Sequence, residues 1–149
     1  MFTSTYQSGT RPPMATMYRS VNASTAIEGA SPHKLVSMLY QAVSSEIAAA
    51  RGAIARRDVA EKGRAIGHAV RIIEEGLIAP LDMAAGGPLA QNLRDLYQYV
   101  VFRLTMGNLK SDDAALAECA GLARSMSDGW DAIGGQVHGQ PAMPIQAAA

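Results

Sequence analysis

The sequence has little cysteine, few aromatic residues and no excess of charge of either sign. Cys119 is the only cysteine among 149 residues, which excludes an intramolecular disulfide framework and fits a reducing compartment. Lysine and arginine together number 13, as do aspartate and glutamate, so the formal net charge is +0. A neutral chain has no long-range field to gather nucleic acid or an anionic membrane surface, so neither partner is expected.

Several of the basic residues are concentrated between positions 51 and 71. Asp58 and Glu61 interrupt them, and no aromatic residue lies between them to stack on a base. We therefore interpret this cluster as a solvated face. Its members are Arg51, Arg56, Arg57, Lys62, Arg64 and Arg71.

Long hydrophobic runs are missing as well. No stretch approaches the roughly 18 apolar residues that a membrane-spanning helix needs, and the first 20 residues lack the apolar centre of a secretory signal. Hydrophobic residues make up 48% of the chain and charged residues 17%, which is typical of a globular domain. We expect a cytosolic protein that does not insert into a membrane.

Residue patterns that carry catalysis or bind metals are also missing. No glutamate has a histidine three residues later, so the Glu-x-x-His pairs of di-iron bundles are absent, and His33, His68 and His138 lie in separate segments. Cys119 follows an apolar pattern, in which a buried thiol is the ordinary role. The glycine pair at 86–87 lacks the lysine of a phosphate loop. We expect no enzymatic activity, no cofactor and no metal.

What the sequence does contain is helical periodicity in four stretches. The first begins at Ser31, a good N-cap, and Pro32, which suits the first helical position, and it extends to Arg57. Asp58 is the expected N-cap of the second helix. That helix has to end near Pro80, because proline excludes helical geometry at the preceding residue.

The third and fourth helices complete the pattern. Gly86-Gly87-Pro88 forms a turn and restarts a helix, and Ser111 is the expected cap of the last one. The fourth helix alternates apolar steps of three and four until Gly134-Gly135, which are expected to end it. Its seam consists of Leu116, Cys119, Ala123, Met126, Trp130 and Ile133. With no strand-like alternation, we predict an all-α fold, an antiparallel up-down four-helix bundle.

The other three helices carry more apolar surface than one core-facing stripe requires. The first helix has two stripes, namely Leu35, Leu39 and Ala42, and Val36, Val43 and Ile47. The expected core stripe of the second helix is Val59, Ile66, Val70, Ile73 and Leu77, and that of the third is Leu89, Leu93, Leu96, Val100 and Leu104. The surplus is explained by a central position in the bundle, by a groove for a partner's amphipathic helix, or by homodimerisation.

Several motifs in this order resemble the FliS family of flagellar export chaperones. They are Tyr18 and Val21, ASPHKLVSMLYQAV (30–43), DVAEKGRAIGHAVRIIEEGL (58–77), GGPLAQNLRDLYQYVVFRL (86–104), GNLKSDD (107–113) and Trp130. The similarity covers roughly residues 18 to 133. It implies a non-enzymatic, cytosolic chaperone with an antiparallel four-helix bundle. It also implies a short N-terminal cap segment on the bundle, which together span residues 18–133. Composition predicts the two remaining regions: a disordered extension (1–17) with two adjacent prolines and little periodicity, and a disordered tail (134–149) with glycines and prolines, and both depart from the family pattern.

The resemblance also implies the partners. Family members bind the C-terminal segment of flagellin, prevent its premature polymerisation and present the cargo-bound complex to the export gate protein FlhA. The surplus apolar surface, apart from the resemblance, also allows a homodimer when no cargo is bound. A homo-oligomeric structural bundle without a foreign client is the alternative function. The surplus apolar residues then become candidates for a flagellin-binding groove and its cap: Tyr18, Val21, Val36, Val43, Ile47, Ile54, Ala69, Ile72, Tyr97 and Val101.

Overall fold

The computed structural model describes residues 29–139, with side chains for residues 29–134. These residues form helices α1 (Pro32–Arg56), α2 (Val59–Ile72), α3 (Met83–Lys110) and α4 (Asp113–Gly139), and α2 continues as a π-helical segment, Ile73–Ile78. No strand occurs in this part of the chain. The prediction of an all-α bundle is confirmed.

The first two helices begin where their sequence signals lie. The Ser31 hydroxyl accepts a hydrogen bond from the Lys34 amide at 3.1 Å, with Pro32 in the first turn of α1. The Asp58 carboxylate accepts one from the Glu61 amide, also at 3.1 Å, and caps α2. Each cap pairs an amide that the helix itself leaves without a partner. Both predicted N-caps are confirmed.

The third and fourth helices begin differently from the prediction. A first turn of α3 starts at Met83, before the non-helical Gly87 (φ 54°), so the predicted break lies inside the helix. Ser111 does not cap α4, because it adopts a left-handed conformation (φ 49°) that ends α3. The cap of α4 is Asp112, whose carboxylate accepts a hydrogen bond from the Ala114 amide at 3.0 Å.

The prediction that Gly134-Gly135 end the last helix is wrong, since α4 continues to Gly139. A glycine inside a helix costs only about 1 kcal/mol relative to alanine. Gly134 is buried against the imidazole of His33, and a Cβ at this position would overlap that ring. Glycine is needed here for a close approach of α1 and α4. Residues 140–149 of the predicted tail, and 1–28 with the predicted extension and cap, lie outside the described residues.

Each helix runs antiparallel to the next. In α1 and α4, His33 lies beside Trp130 and Arg51 beside Asp113, so the start of one helix meets the end of the other. The side chain of Lys62 in α2 reaches the carbonyl of Asn108 near the end of α3. Helix α1 packs mainly against α2 and α4, which are both in contact with α3. The chain is therefore an up-down bundle closed by α1 and α4.

The core takes up both apolar stripes of α1. Leu39, Val43 and Ile47 are all buried, because α1 is covered by α2 on one side and by α4 on the other. Two expected core residues lie outside instead: Val59 in the first turn of α2 and Leu89 near the start of α3 are both exposed. The other buried apolar residues of this cluster are Tyr40, Ala50, Ala65, Ile66, Ala69, Ile72, Ile73, Leu77, Tyr97, Val100, Leu104, Leu116, Cys119 and Ala123.

Trp130 joins the last turns of the α4 seam to the first turn of α1. Its indole N–H donates to the His33 carbonyl at 2.9 Å, and His33 Nε2 donates to the Trp130 carbonyl at 2.7 Å. The two rings stack with centroids 4.7 Å apart. The Ser37 hydroxyl adds a hydrogen bond of 2.7 Å to Asp131. These contacts hold the end of the bundle at which α1 begins.

We expect Trp130→Ala to lower the free energy of unfolding by about 3 to 5 kcal/mol, because a half-buried ring and its stacking contact are lost. Trp130→Phe keeps an aromatic ring and removes the indole donor, so a smaller loss of about 1 kcal/mol is expected. Denaturant unfolding followed by circular dichroism measures both. Equal stability of the alanine variant and the wild type would contradict this role.

Lys62 does not belong to a solvated face. Its side chain is buried, and its ammonium donates to the Asn108 carbonyl at 3.0 Å and to the Ser111 hydroxyl at 2.6 Å. A cation at this place also complements the negative end of the α3 dipole. Lys62 therefore caps the C-terminus of α3 from the neighbouring helix.

We predict that Lys62→Met destabilises the bundle by about 1.5 to 3 kcal/mol, the usual range for hydrogen bonds made by a charged group. Methionine fills a similar volume, so the loss reports the ammonium rather than a cavity. Lys34→Met, at an exposed site in α1, is the matched control and is expected to change the stability by less than about 0.5 kcal/mol. The measurement is urea unfolding. Equal midpoints for the two variants would contradict the capping role.

Candidate protein-binding site

The structure places half of the predicted groove residues inside the core. Each of these five is buried and presents no surface to a partner in the closed bundle. The hydroxyl of Tyr97, for example, is hydrogen-bonded to that of Tyr40 at 2.5 Å, and burial raises the pKa of both phenols. Val43 and Ile47 are buried because α1 is covered by both α2 and α4, and Ala69 and Ile72 are buried because more than one face of α2 packs against neighbouring helices. The five are Val43, Ile47, Ala69, Ile72 and Tyr97.

The other predicted residues are not brought together. Tyr18 and Val21 lie outside the described residues. Val36, Ile54 and Val101 are half-buried and pack against the core. Val36 and Ile54 are at opposite ends of α1, about 27 Å apart at the usual helical rise. Val101 lies on α3. Of these three side chains, Ile54 lies beside an open surface.

That surface is a groove between α1 and α4. It consists of two adjoining cavities of about 470 and 540 Å³, which share Ala48 and Arg51 in their walls. Along α1 the groove extends from Gln41 to Ala55, about 20 Å at the usual rise. Its remaining lining residues are Ser44, Ser45, Ile54, Asp113, Ala120, Arg124, Ser127 and Asp128.

Small side chains keep the groove open. Ser45 and Ala48 lie about one turn apart on the exposed face of α1, and Ala55 continues the same face. Ala120 and Ser127 face them from α4. Small residues at such spacing allow another helix to lie close to the two backbones, at the 8 to 10 Å typical of packed helices. The shape therefore suits a helix rather than a small molecule.

Charged groups lie at the junction of the two cavities and at the end of the groove near Gln41. Arg51 donates to both oxygens of Asp113, at 2.8 and 3.0 Å, and these hydrogen bonds lower the pKa of Asp113. An exposed pair of this kind contributes little to stability, but it fixes the position of the arginine side chain. At the end near Gln41, Arg124 and Asp128 make no ion pair with residues 29–134. They are free to contact a polar flank of a bound segment.

The opposite edge of α1, towards α2, is closed by ion pairs. Glu46 accepts hydrogen bonds from Arg64 at 2.9 and 3.2 Å and from His68 at 2.5 Å. Burial alone would raise the pKa of the Glu46 carboxyl, but the hydrogen bonds from Arg64 and His68 outweigh it and the pKa is lowered. Arg64 also pairs with Glu61. The groove therefore follows only the α4 side of α1.

A second unpartnered surface lies on the outer face of α3. Tyr99, Phe102 and Leu109 are 42%, 56% and 75% exposed, and the half-buried Met106 lies among them at steps of three and four. We call these four residues the α3 stripe. The steps of three and four are present in the sequence. They do not distinguish an outer face, because apolar residues occur on nearly every side of α3. Glu118 of α4 accepts hydrogen bonds from the Tyr99 hydroxyl at 2.6 Å, which raises the pKa of Tyr99, and from Arg103 at 2.7 Å.

Groups that could perform chemistry are not gathered in the described part of the chain. Residues 29–139 contain no cluster of three potential metal ligands and no helix long and apolar enough to cross a membrane. Cys119 is buried with its sulfur 3.8 Å from the Val100 carbonyl, and burial raises its thiol pKa to about 11. The predicted role of Cys119 as a buried thiol is confirmed.

The fold defines a class, the antiparallel four-helix bundles, here with two open surfaces in the described part of the chain. Within that class the chain belongs to the FliS family, since the family model described as flagellar protein FliS matches residues 14–137. This chain is 39% identical over 116 residues to the flagellar secretion chaperone FliS of Salmonella typhimurium, and the match covers 78% of this chain and 86% of that protein. It is 40% identical over 116 residues to the flagellar secretion chaperone FliSB of Pseudomonas aeruginosa, covering 78% and 91%.

Proposed function

We propose that this chain is a cytosolic, non-enzymatic chaperone that binds the C-terminal segment of flagellin. It keeps flagellin from polymerising prematurely and presents the cargo-bound complex to the export gate protein FlhA. The family supplies the general role of a flagellar secretion chaperone. The observation that carries the specific binding proposal is the groove between α1 and α4. It extends along about four helical turns of α1 and is bridged at the junction of its two cavities by the exposed Arg51–Asp113 ion pair.

The groove suits an amphipathic helix of a flagellar subunit. Such a segment buries its apolar face against sister subunits only in the filament, so it needs a temporary partner before assembly. Ile54 and Ala48 provide apolar contacts, while the serine hydroxyls and Arg124 contact the polar flank. A disordered segment that folds on binding loses conformational entropy, which keeps the affinity moderate and allows release without ATP.

The buried candidates have an indirect role in this proposal. Val43 and Ile47 fix the rotation of α1 about its own axis, so that Ala48 and Gln41 face outwards. Tyr18 and Val21 stay part of the proposal as a cap over cargo-binding surface. Val36 and Val101 are half-buried and remain candidates for contacts with extended parts of the cargo.

Filling the groove tests the proposal. We expect Ser45→Gln/Ala48→Gln to weaken binding of a flagellin C-terminal peptide at least tenfold, about 1.4 kcal/mol, because two longer side chains occupy the centre of the groove. Both positions are exposed on α1, and glutamine is a good helix former, so folding is preserved. Isothermal titration calorimetry with the full chain measures the dissociation constant.

The matched control is Ala60→Gln, which makes the same alanine-to-glutamine change as Ala48→Gln on an exposed site of α2 away from the groove. It is expected to bind the peptide like the wild type. Equal affinity of all three proteins would place the cargo elsewhere on the bundle. No saturable binding by the wild type would contradict the chaperone proposal itself and favour the alternative, a homo-oligomeric bundle without a foreign client.

The proposed cap makes a separate prediction. If residues 1–22 compete with cargo for the same surface, deleting them raises the open fraction and should leave peptide affinity equal or increase it. The variant should also bind more of a hydrophobic dye and retain the helical content of the bundle. A clear loss of affinity would show that Tyr18 contacts the cargo directly rather than competing with it.

A further inference from the structure

The end of the bundle that carries the α1–α2 and α3–α4 turns has no assigned partner. Val59 and Leu109, 71% and 75% exposed, are the most exposed of the large hydrophobic residues in the described part of the chain. Both lie at this end, because Lys62, one helical turn after Val59, donates to the carbonyl of Asn108, the residue before Leu109. Large apolar side chains that project into water from neighbouring turns indicate a contact surface.

Basic side chains lie beside these two residues. Arg56 and Arg57 precede Val59 at the end of α1, and all three are exposed, as is Lys110, which follows Leu109 at the end of α3. Arg57 and Lys110 make no ion pair within the described residues, and Arg56 makes only a loose one, 3.9 Å from a carboxylate of its own turn. We call these five residues the turn patch: Arg56, Arg57, Val59, Leu109 and Lys110.

The acidic residues at the same end already have partners within the bundle. Asp58 and Asp112 accept hydrogen bonds from backbone amides as the caps of α2 and α4, where the helix dipole offsets part of their charge. Glu61 and Asp113 form ion pairs of 2.8 Å with arginine side chains. The charge that remains free at this end is therefore positive, which suits an anionic partner.

The placement of the apolar side chains favours a lipid surface over other anionic partners. A bound peptide gains affinity from a groove, and neither Val59 nor Leu109 lines the two cavities between α1 and α4. The turn patch contains no aromatic residue to stack on a nucleic-acid base. A lipid headgroup layer, by contrast, accepts separate apolar side chains and attracts the basic residues beside them.

The balanced net charge limits the range of this attraction. A chain of formal net charge +0 has no long-range field, so the turn patch acts only within a Debye length, about 8 Å at physiological salt. The contact should also be reversible, since even a myristoyl chain on its own gives only marginal membrane binding. Three cations and two aliphatic side chains are enough for a weak, salt-sensitive association.

We propose that the turn patch binds the surface of an anionic membrane, with Val59 and Leu109 among the lipid headgroups and the three basic side chains beside the lipid phosphates. The contact is peripheral, and the bundle stays folded. It needs no cargo and does not depend on flagellin binding.

Flotation of the full chain with lipid vesicles tests the membrane contact. We expect binding to vesicles of equimolar phosphatidylcholine and phosphatidylglycerol at low ionic strength, none to phosphatidylcholine alone, and release by salt. Lys110→Gln should weaken partitioning about fivefold, the usual effect of one basic residue at an anionic surface, and Arg57→Gln/Lys110→Gln at least tenfold. Leu109→Gln should weaken it as well, because an apolar side chain no longer enters the headgroup layer.

Matched controls make the same changes at the opposite end of the bundle. Lys34→Gln replaces an exposed lysine near the start of α1, and Leu89→Gln replaces an exposed leucine near the start of α3. Both controls should bind the vesicles like the wild type. Circular dichroism verifies that every variant is folded.

Three results would overturn the membrane contact. They are a wild type that does not float with the anionic vesicles, equal binding to neutral vesicles, and turn-patch variants that bind like their controls. Binding to soluble polyglutamate that Lys110→Gln weakens, without any binding to vesicles, would overturn it too and assign the turn patch to an acidic protein.

Discussion

The rest of the structure depends on the burial of α1 from two sides. An amphipathic helix at a surface needs one apolar stripe, but α1 is the first helix of an antiparallel ring and is covered by both the second, α2, and the last, α4. Val43 and Ile47 are completely or nearly completely buried for this reason. The apolar surplus of α1 therefore fills the core, and the face that remains outside is formed by small and polar residues.

The elements that local chemistry determines could be predicted from the sequence. Ser31 and Asp58 accept hydrogen bonds from amides within their own first turns, so their caps depend on a few adjacent residues. The seam of α4 was also identifiable, because Leu116, Cys119 and Ala123 follow one clear period. The helix count and the antiparallel order follow from these signals and from short connections.

What could not be predicted depends on contacts between distant residues. From the sequence alone, Gly134 predicts the end of a helix. The need for glycine inside α4 becomes clear only from the contact with the imidazole of His33, about 100 residues earlier. The sequence predicts Lys62 to be a surface cation, because its partners, Asn108 and Ser111 at the end of α3, are more than 40 residues away along the chain. The groove was not predicted for the same reason. Alanine and serine give no sequence signal for a binding site, because the groove forms only where two helices place their small side chains side by side.

The two open surfaces differ in chemistry because the bundle closes its edges in different ways. Between α1 and α2, Glu46 and Arg64 bridge the helices, and a partner would have to break those ion pairs to enter. Between α1 and α4 the His33–Trp130 contacts hold one end and the exposed Arg51–Asp113 pair bridges the helices farther along, while small residues leave an open cavity between these two points. The outer face of α3 has large side chains at Phe102 and Leu109 instead. A shallow groove accepts the backbone of a narrow helix, whereas projecting aromatic and aliphatic side chains need a partner that interlocks with them. The two surfaces therefore suit partners of different shapes.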